Sequence, residues 1–409
     1  MKFKISHIST SDLEGGSAIS AKRIHLNLIK NSINSRMFSG FKKSNYRKSY
    51  DFTRFKQIRK FDEFFNKITN KLGFQYKFIP SNFFVNDSIK NSDIIQLYNL
   101  HGGYFQISTI SKLSKISPLI WRLSDYWPLT GHCAYPGKCN KWERGCEHCP
   151  DLELYPSIGQ DRTKYLWNYK KKILKNVNVT IVVPTRVMFN EVKKSEIFFN
   201  KDVEIIPNGV DTHYFNPQNK IKARNKININ NMFTILFMAH VAFDNPRKGT
   251  DYIFKICDFI KKRNDIQILI VGQDSYKWRA LQNKNIVTLD YVETLSKKKN
   301  IYNSADCLLL LSNQDNFPNV LLESMSCGTP AIAFNSGGIS EIINNKNGIL
   351  LKTFDSDELI KKILFFKKNF QIKKKFEIKA RETIVNKYSS KIEVQNYLNL
   401  YKRILGISI

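Results

Sequence analysis

The segment from residue 308 to residue 338 constrains the fold of this chain more than any other. An apolar run ends at Ser312, and Pro318 stands where a helix can begin, because a first helical turn leaves its N–H groups unpaired. Gly328 ends the predicted helix, and a second apolar strand follows at residues 331–334. Strand, helix and strand in this order predict one βαβ crossover of a parallel sheet.

A turn at Gly337 and Gly338 then leads towards a further helix, which is expected near Ile339. Ligands of parallel sheets lie outside the carboxyl ends of the strands. The predicted helix N-terminus at Pro318 would present unpaired N–H groups and a partial positive charge at that edge. Such a place suits an anion, and a diphosphate in particular.

Two acidic residues of this segment, Asp315 and Glu323, are eight residues apart. One lies in the loop before the predicted helix and the other about one and a half turns inside it, so both can face one ligand. The spacing resembles the Glu-x7-Glu signature of retaining GT-B glycosyltransferases of family 4, with Asp315 in place of the first glutamate. The other interpretation is an ordinary Rossmann-like βαβ unit with two surface acids.

The resemblance implies a fold and a role for each part of the segment. Asp315 would contact the transferred sugar, and Glu323 would bind the ribose hydroxyls of a nucleoside diphosphate sugar. The backbone between them would meet sugar and phosphate, and it comprises Asn316, Phe317, Pro318, Asn319 and Val320. The implied architecture is GT-B: an α/β protein with two Rossmann-like domains facing each other across a cleft, and a C-terminal helix that returns to the first domain.

A cationic loop follows the strand predicted at residues 233–238. In the family, an arginine just after this strand and a lysine before a glycine bind the diphosphate, and Lys248 matches that lysine. His240 stands where the arginine is usual, so Arg247 is the candidate for the missing cation; the other interpretation is a site that has lost part of its charge. The sequence shows no divalent-metal motif, and no cofactor is expected for catalysis.

The N-terminal part begins with a predicted strand at residues 3–8, followed by Gly15 and Gly16 and then a helical pattern. The two glycines let the backbone approach a ligand closely, and we assign them to donor binding because they would lie opposite the nucleotide half. Alone, such a turn is only structural. Strands and helices alternate along the chain, which predicts domains at 1–215, with a cysteine-rich insert at 126–151, at 216–385 and at 386–409.

Four of the seven cysteines stand close together, at Cys133, Cys139, Cys146 and Cys149. Their spacing contains one Cys-x-x-Cys knuckle and supplies four thiolates, which suits a tetrahedral structural zinc in a reducing cytosol. Free or redox-active thiols are a second interpretation, and disulfides are a third that fits a cytosolic protein less well. The other three cysteines are expected in the core.

The same region carries the stretch Asp125-Tyr-Trp-Pro-Leu-Thr-Gly-His-Cys133 after a predicted strand. It resembles a subgroup of bacterial family 4 enzymes assigned to capsule, exopolysaccharide or O-antigen assembly, although Ser124 replaces the histidine that is common there. Asp125 would accept or position the proton of an acceptor hydroxyl as a catalytic residue, or else it caps a loop. His101 ends another strand and would hydrogen-bond to acceptor or sugar, or else it is structural.

The chain has a net charge of +30, and cations alternate with phenylalanines between residues 42 and 77. This mixture suits an anionic membrane surface. The other interpretations are a solvated helix whose phenylalanines face the core and, with less support, stacking on single-stranded nucleic acid. The residues concerned are Lys42, Lys43, Arg47, Lys48, Arg54, Lys56, Arg59, Lys60, Lys67, Lys71 and Lys77, with Phe52, Phe55, Phe61, Phe64, Phe65, Phe74 and Phe78.

No apolar run approaches the ~20 residues that a membrane helix needs, and no signal-peptide core is evident. The protein is expected in the cytoplasm, either free or peripheral on the inner face of the membrane. The predicted function is that of a retaining glycosyltransferase that moves a sugar from a nucleoside diphosphate to a glycan or lipid-linked acceptor in cell-surface polysaccharide biosynthesis. The rivals are a GT-B protein that binds nucleotide-sugar without turnover and a basic nucleic-acid-binding protein, which is disfavoured because no nucleic-acid signature is present.

Overall fold

The computed structural model describes residues 3–46, 48–53, 56–75 and 79–407, and the chain divides into two compact units. Unit 1 comprises Met1–Pro207 together with Glu393–Ile409, and unit 2 comprises Asn208–Ile392. The sequence analysis placed these divisions at 215/216 and 385/386. Each unit is built on one parallel sheet with helices, which confirms the predicted α/β architecture with two Rossmann-like domains.

Unit 1 contains a seven-stranded parallel sheet with the strand order β3-β2-β1-β4-β5-β6-β7. The strands are β1 (Lys4–Ser11), β2 (Asn34–Phe41), β3 (Ser49–Asp51), β4 (Ile94–Leu97), β5 (Leu119–Arg122), β6 (Val179–Val183) and β7 (Val203–Ile205). The helices are α1 (Gly16–Lys30), α2 (Lys56–Lys71), α3 (Asp87–Lys90), α4 (Thr109–Leu113), α5 (Thr163–Lys175) and α6 (Arg186–Lys194).

Unit 2 contains a six-stranded parallel sheet with the strand order β10-β9-β8-β11-β12-β13. The strands are β8 (Phe233–Met238), β9 (Ile266–Val271), β10 (Ile286–Leu289), β11 (Cys307–Leu310), β12 (Ala331–Phe334) and β13 (Ile349–Leu351). The helices are α7 (Lys220–Lys226), α8 (Thr250–Lys261), α9 (Leu295–Ser304), α10 (Asn319–Ser326), α11 (Ser356–Lys368) and α12 (Phe370–Lys387), and α13 (Ser390–Ile404) follows.

Both faces of each sheet are buried, as expected where helices cover a parallel sheet on two sides. In unit 1, the neighbouring residues Ile94 and Ile95 belong to two different core clusters, because successive side chains of a strand point to opposite faces. Leu308 and Leu309 divide in the same way in unit 2. Continuous apolar strands of this kind leave the polar chemistry to the loops at their carboxyl ends.

Helix α13 joins the core of unit 1, as predicted for the C-terminal helix. Tyr397 and Tyr401 are fully buried in the same cluster as Phe3. Arg23 on α1 forms an ion pair with the buried Glu393, with 2.8 Å between Nε and Oε2. The sheet of unit 1 is therefore covered by helices from two distant parts of the chain.

One expectation about local structure was wrong. The helix expected near Ile339 is a single 3-10 turn, Ile339–Glu341, because the chain turns again at residues 344–347. The phenylalanines between residues 42 and 77 do not share one environment, since Phe52 is fully buried whereas Phe64 is 59% exposed. Five members of that basic and aromatic set lie outside the described residues, namely Arg47, Arg54, Phe55, Lys77 and Phe78.

Within the described ranges, no helix combines the length and the apolar character needed to cross a bilayer.

Candidate functional site

The loops after β8 and β11 meet at the carboxyl end of the unit 2 sheet. These two strands are neighbours, and the strand order runs in opposite directions from them, which is where ligands bind in doubly wound sheets. Lys248, from the first loop, donates a hydrogen bond to Oδ2 of Asp315, from the second. Two residues predicted to act on a donor are therefore in direct contact.

Burial and charge act in opposite directions on this pair. Burial lowers the pKa of the Lys248 ammonium, and the charge of Asp315 opposes that change. Burial alone would raise the pKa of the Asp315 carboxyl, but the positive charges of Lys248 and Arg247 outweigh it and lower that pKa. Each group is thus the main counter-charge of the other.

Arg247 is held against the loop that carries Asp315. Its Nη1 donates to the carbonyl oxygen of Gln314 at 2.9 Å, and its own carbonyl accepts from the N–H of Asn313 at 2.8 Å. His240 is exposed, and its ring packs edge-on against Tyr291 with 5.0 Å between ring centroids. The geometry therefore favours Arg247 as the second cation beside Asp315.

The turn at Gly337 packs directly on the backbone of Asp315. Gly337 has a φ of +53°, and a Cβ added there would lie 2.0 Å from the carbonyl oxygen of Asp315. That same carbonyl accepts a hydrogen bond from the N–H of Gly338 at 3.2 Å. A side chain at residue 337 would push the Asp315 loop away, so glycine is required there on two counts.

Glu323 lies in the second turn of α10 and is 9% exposed. Its Oε2 accepts a hydrogen bond from the hydroxyl of Tyr302 at 2.7 Å. Tyr302 is fully buried on α9, and burial, together with the charge of Glu323, raises the pKa of its hydroxyl well above the usual range. The tyrosine therefore stays a donor and fixes the orientation of the carboxylate. No sequence pattern predicted the role of Tyr302, because the contact depends on how α9 packs against α10.

The residues between the two acids form the loop and first turn of α10, as predicted. Pro318 is the N-cap, and its carbonyl accepts from the N–H of Leu321 at 3.1 Å, so α10 begins directly after it. Phe317 is buried, and its carbonyl accepts from the side-chain amide of Asn208 at 3.0 Å. Asn208 begins an Asn-Gly pair, which is typical of a turn. The structure shows that it braces the loop that leads into α10.

A second cluster of polar residues lies in unit 1, at the carboxyl ends of β4 and β5. His101 Nε2 is 3.0 Å from Oδ2 of Asp125, and both residues are buried. The side-chain amide of Asn99 donates to the same oxygen at 2.8 Å, and the hydroxyl of Tyr155 is 3.3 Å from His101 Nδ1. The structure thus joins two residues that the sequence analysis treated separately, and it adds Asn99 and Tyr155.

Asp125 also has the loop-capping role that was its alternative interpretation. Its Oδ1 accepts from the N–H of Trp127 at 3.0 Å, while Oδ2 faces His101. One carboxylate oxygen therefore holds the loop and the other orients the imidazole. A carboxylate placed in this way fixes one tautomer of a histidine and stabilises the ring when it takes up a proton.

Gly15 and Gly16 lie at the start of α1, and both are exposed. Gly15 has a φ of +87°, and a Cβ added there would meet no heavy atom within 4 Å. Glycine is therefore required at residue 15 by backbone conformation rather than by crowding. The assignment of these two residues to donor binding stays a prediction.

The four clustered cysteines line one small cavity of about 20 Å³. The N–H of Gly131 donates to Sγ of Cys146 at 3.1 Å, and His132 Nε2 is 3.4 Å from Sγ of Cys149. All seven cysteines of the chain are free thiols in the structure. Burial raises the pKa of Cys133 to about 12 and that of Cys146 to about 11. Cys133 is buried, and the other three thiols of the cluster are half-buried around the same space.

A buried cation lies beneath the same loop. Lys170 on α5 donates to the carbonyl oxygens of Trp127 at 2.6 Å and of Thr130 at 2.9 Å. Burial lowers the pKa of its ammonium to about 7, and the nearby Cys146 and Cys133 oppose that change. Lys170 therefore holds together the segment that runs from Asp125 to the first cysteine.

The zinc assignment stays a prediction. Across residues 3–46, 48–53, 56–75 and 79–407, no three His, Cys, Asp or Glu side chains already surround a common point as metal ligands do. Zinc would have to draw the sulfurs of Cys133, Cys139, Cys146 and Cys149 together, with loss of their protons.

We expect protein purified without chelators to carry about one zinc ion per chain, because four cysteines complete a tetrahedral site. Metal analysis of the Cys146→Ser/Cys149→Ser variant should show that the zinc is lost. The matched control is Cys257→Ser/Cys327→Ser, which removes two buried thiols outside the cluster. A wild-type chain that stays zinc-free after growth in zinc-supplemented medium would overturn the assignment.

Comparisons with known proteins find that the chain is similar to glycosyltransferases. Residues 219–383 match the family model described as glycosyl transferases group 1. A putative colanic acid biosynthesis glycosyl transferase of Escherichia coli is 22% identical over 333 residues, which is 76% of each chain. The N-acetyl-alpha-D-glucosaminyl L-malate synthase of Bacillus anthracis is 26% identical, over 50% of this chain and 55% of its own length. The poly(ribitol-phosphate) alpha-N-acetylglucosaminyltransferase of Staphylococcus aureus is 26% identical over 57% of this chain. That match spans only 46% of the staphylococcal enzyme.

Solved structures share the fold over almost the whole chain. The sucrose-phosphate synthase of Thermosynechococcus elongatus superimposes with a TM-score of 0.69 at 15% identity, and the match covers 99% of this chain and 100% of that one. Anabaena HepE in complex with UDP-glucose gives a TM-score of 0.67 at 14% identity, covering 98% and 99% of the two chains. At these identities the likeness shows the architecture.

Proposed function

We propose that this glycosyltransferase of the GT-B fold moves a sugar from a nucleoside diphosphate sugar to a glycan or lipid-linked acceptor. The transfer would retain the configuration of the sugar, and it would serve the assembly of a cell-surface polysaccharide. One observation carries the donor part of the proposal. The hydrogen-bonded Lys248–Asp315 pair lies just before α10 and Glu323 lies in the second turn of that helix, at the end of the sheet where doubly wound proteins bind their ligands.

Each group of this site has a chemical counterpart in a nucleoside diphosphate sugar. The helix N-terminus, Lys248 and Arg247 suit the diphosphate, whose negative charge grows as the bond to the sugar breaks. Glu323, oriented by Tyr302, suits the two ribose hydroxyls as a bidentate acceptor. When the donor binds, Lys248 would give up its hydrogen bond to Asp315 and donate to phosphate oxygens instead. Asp315 would then accept hydrogen bonds from hydroxyls of the sugar.

The proposed reaction needs no side-chain nucleophile. The cations and the N–H groups of α10 would stabilise the departing diphosphate, while the acceptor hydroxyl attacks the anomeric carbon on the same face. The glycosidic bond forms as the bond to the diphosphate breaks, and the proton of the hydroxyl passes to a nearby base. Relatives whose names refer to colanic acid and to capsular polysaccharide support a polysaccharide as the product.

A nucleotide screen tests the donor assignment. A ligand at 100 times its dissociation constant stabilises a protein by roughly 2.7 kcal/mol, so binding should raise the melting temperature clearly. We expect one of UDP, GDP, ADP, dTDP and CMP to do so, and UDP first, since HepE was solved with UDP-glucose. The shift should disappear in Glu323→Ala. No shift with any nucleotide would overturn the donor assignment.

His240 favours a second candidate function, which is binding of nucleotide-sugar without turnover. The residue stands where the family has a phosphate-binding arginine, and its ring is exposed beside Tyr291. The two functions differ in one measurement, since a non-catalytic protein would show the nucleotide shift but release no nucleoside diphosphate from the sugar donor. Release of diphosphate that depends on Lys248 would exclude it.

Asp125→Asn tests the acceptor part. We expect the rate of transfer to acceptor to fall about 30-fold, because His101 loses a charged hydrogen-bond partner worth about 2 kcal/mol. The nucleotide-induced thermal shift should remain. Asp151→Asn, which removes an exposed carboxylate that caps the N–H of Glu153, is the matched control and should transfer normally. Equal transfer by Asp125→Asn and the wild type would show that Asp125 only caps its loop.

A further inference from the structure

Helix α2 buries two of its polar side chains and leaves several of its apolar ones exposed. Asp62 is 2% exposed, and its Oδ1 accepts from the N–H of Ile79 at 2.9 Å. Asn66, one turn later, is 8% exposed, and its side-chain amide donates to the carbonyl oxygen of Gly103 at 2.8 Å. The helix is therefore attached to unit 1 partly by hydrogen bonds, whereas a surface helix usually attaches through an apolar stripe.

The exposed side of α2 carries the apolar stripe that is usually buried. Phe61 is 49% exposed, Phe64 59%, Ile68 41% and Leu72, just past the helix, 47%. Their spacing of three, four and four residues places them on one side of a helix with 3.6 residues per turn. The ring of Phe65 packs against that of Phe61, with 4.6 Å between centroids, which widens the stripe. The result is one continuous apolar surface facing solvent.

A row of lysines flanks this stripe. Lys60, Lys67 and Lys71 each precede a member of the stripe by one residue, and all three are exposed. One residue is about 100° of rotation around a helix, so the lysines lie side by side along one edge of the apolar surface. Glu63, on another side, lies 3.6 Å from Arg59. The edge beside the phenylalanines is thus strongly positive.

We propose that α2 lies in the surface of an anionic lipid bilayer, with its apolar stripe among the acyl chains and its lysine row on the headgroups. The apolar stripe matches the acyl chains in polarity, and the lysines match the anionic headgroups in charge. A second copy of the chain matches it less well, because a two-fold interface through this stripe would bring like charges together. The net charge of +30 favours anionic lipid in the same way.

The attachment of α2 links this surface to the proposed acceptor site. Asn66 is hydrogen-bonded to Gly103, two residues from His101, and Gln75, just after the helix, accepts from the indole N–H of Trp127 at 2.8 Å. A bilayer in contact with α2 would therefore lie near the His101–Asp125 pair. This step rests on the proposed function, and it names a membrane-borne, lipid-linked molecule as the acceptor class.

Vesicle flotation with the full chain tests the proposal. We expect the protein to float with vesicles of phosphatidylcholine containing about one-third phosphatidylglycerol, to float poorly with phosphatidylcholine alone, and to be released by salt. Neutralising three lysines near the surface should lower the partition coefficient about a hundred-fold. The variants are Lys60→Gln/Lys67→Gln/Lys71→Gln for the row and Phe61→Ser/Phe64→Ser for the stripe.

Matched controls test whether vesicle binding depends on the position of these lysines and phenylalanines or only on their residue type. Phe199→Ser/Phe370→Ser removes two phenylalanines that are each 62% exposed elsewhere, and Lys222→Gln/Lys226→Gln/Lys361→Gln removes three exposed lysines elsewhere. Both controls should float like the wild type. Melting temperatures of all variants check that they fold.

Three outcomes would overturn the proposal. The wild type does not bind anionic vesicles, the α2 variants float as the wild type does, or light scattering shows a wild-type dimer that Phe61→Ser/Phe64→Ser converts to a monomer. The nucleotide-induced thermal shift should persist in every α2 variant, because none of these residues belongs to the donor site. If flotation fails while that shift persists, only the membrane inference falls. Loss of the shift in the wild type would instead undermine the donor assignment.

Discussion

Replacing Lys248 with methionine should lower kcat/KM for the sugar donor about 1,000-fold, since losing one group aimed at developing charge costs that much in a buried site. Methionine keeps most of the length and apolar volume of the lysine stem, so the change removes mainly the charge. The measurement is the rate of nucleoside diphosphate release under steady-state conditions. A decrease of less than ten-fold would show that another group neutralises the diphosphate.

Arg247→Met is the matched control for that variant, because it removes the neighbouring cation from the same loop. Arg247 also contacts the Asp315 loop, through the carbonyl of Gln314, so we expect a smaller decrease of about ten-fold. In Lys248→Met, Asp315 loses its hydrogen-bonded cation while it stays buried, so the pKa of its carboxyl rises towards the value that burial favours. A lower melting temperature at neutral pH should accompany the loss of rate.

Replacing Glu323 with alanine should lower kcat/KM for the donor about 300-fold, because two charge-assisted hydrogen bonds to ribose would be lost at about 1.5–2 kcal/mol each. The change also leaves the buried hydroxyl of Tyr302 without its acceptor, which costs about 1–3 kcal/mol of folding stability. Donor turnover and urea unfolding measure the two effects separately.

Tyr302→Phe is the control that separates charge from orientation. It keeps the Glu323 carboxylate and removes only the hydroxyl that positions it, so donor turnover should fall about ten-fold or less. Binding of a 2′,3′-dideoxy nucleotide, which lacks both ribose hydroxyls, adds a second check, since its affinity should differ little between the wild type and Glu323→Ala. A full affinity loss for both nucleotides would show that the alanine variant disturbs the loop rather than the ribose contact.

The sequence predicted the strands of unit 2 and the loop that leads into α10 well. The bounds predicted for β8 and β12 match the structure, because both are short, mostly apolar runs. Asp315, Lys248 and Glu323 were found because chemistry at the ends of parallel strands leaves a local pattern of loop, glycine and helix start. The sequence analysis assigned Lys248 and Asp315 to one site, and in the structure the two side chains form a direct hydrogen bond.

What the sequence could not supply are contacts set by packing between distant elements. Tyr302 reaches Glu323 across two helices, and Asn99 joins His101 to Asp125 across two strands. No periodicity encodes such pairs. Helix α2 shows the same limit in another form, because its pattern of apolar residues fits a helix equally well whether that side faces the core or the solvent. Only the hydrogen bonds of Asp62 and Asn66 decide which side is buried.

The division of unit 1 between two parts of the chain sets an order of events during synthesis. Unit 2 is continuous in sequence, so the ribosome makes all of it before the segment from Glu393 onwards that unit 1 still needs. Until then, the apolar residues of β1 that later pack on Tyr397 and Tyr401 have no cover from α13. Unit 1 therefore stays incomplete during synthesis until unit 2 has been made. A chaperone that covers this apolar surface would act on the nascent chain during that interval.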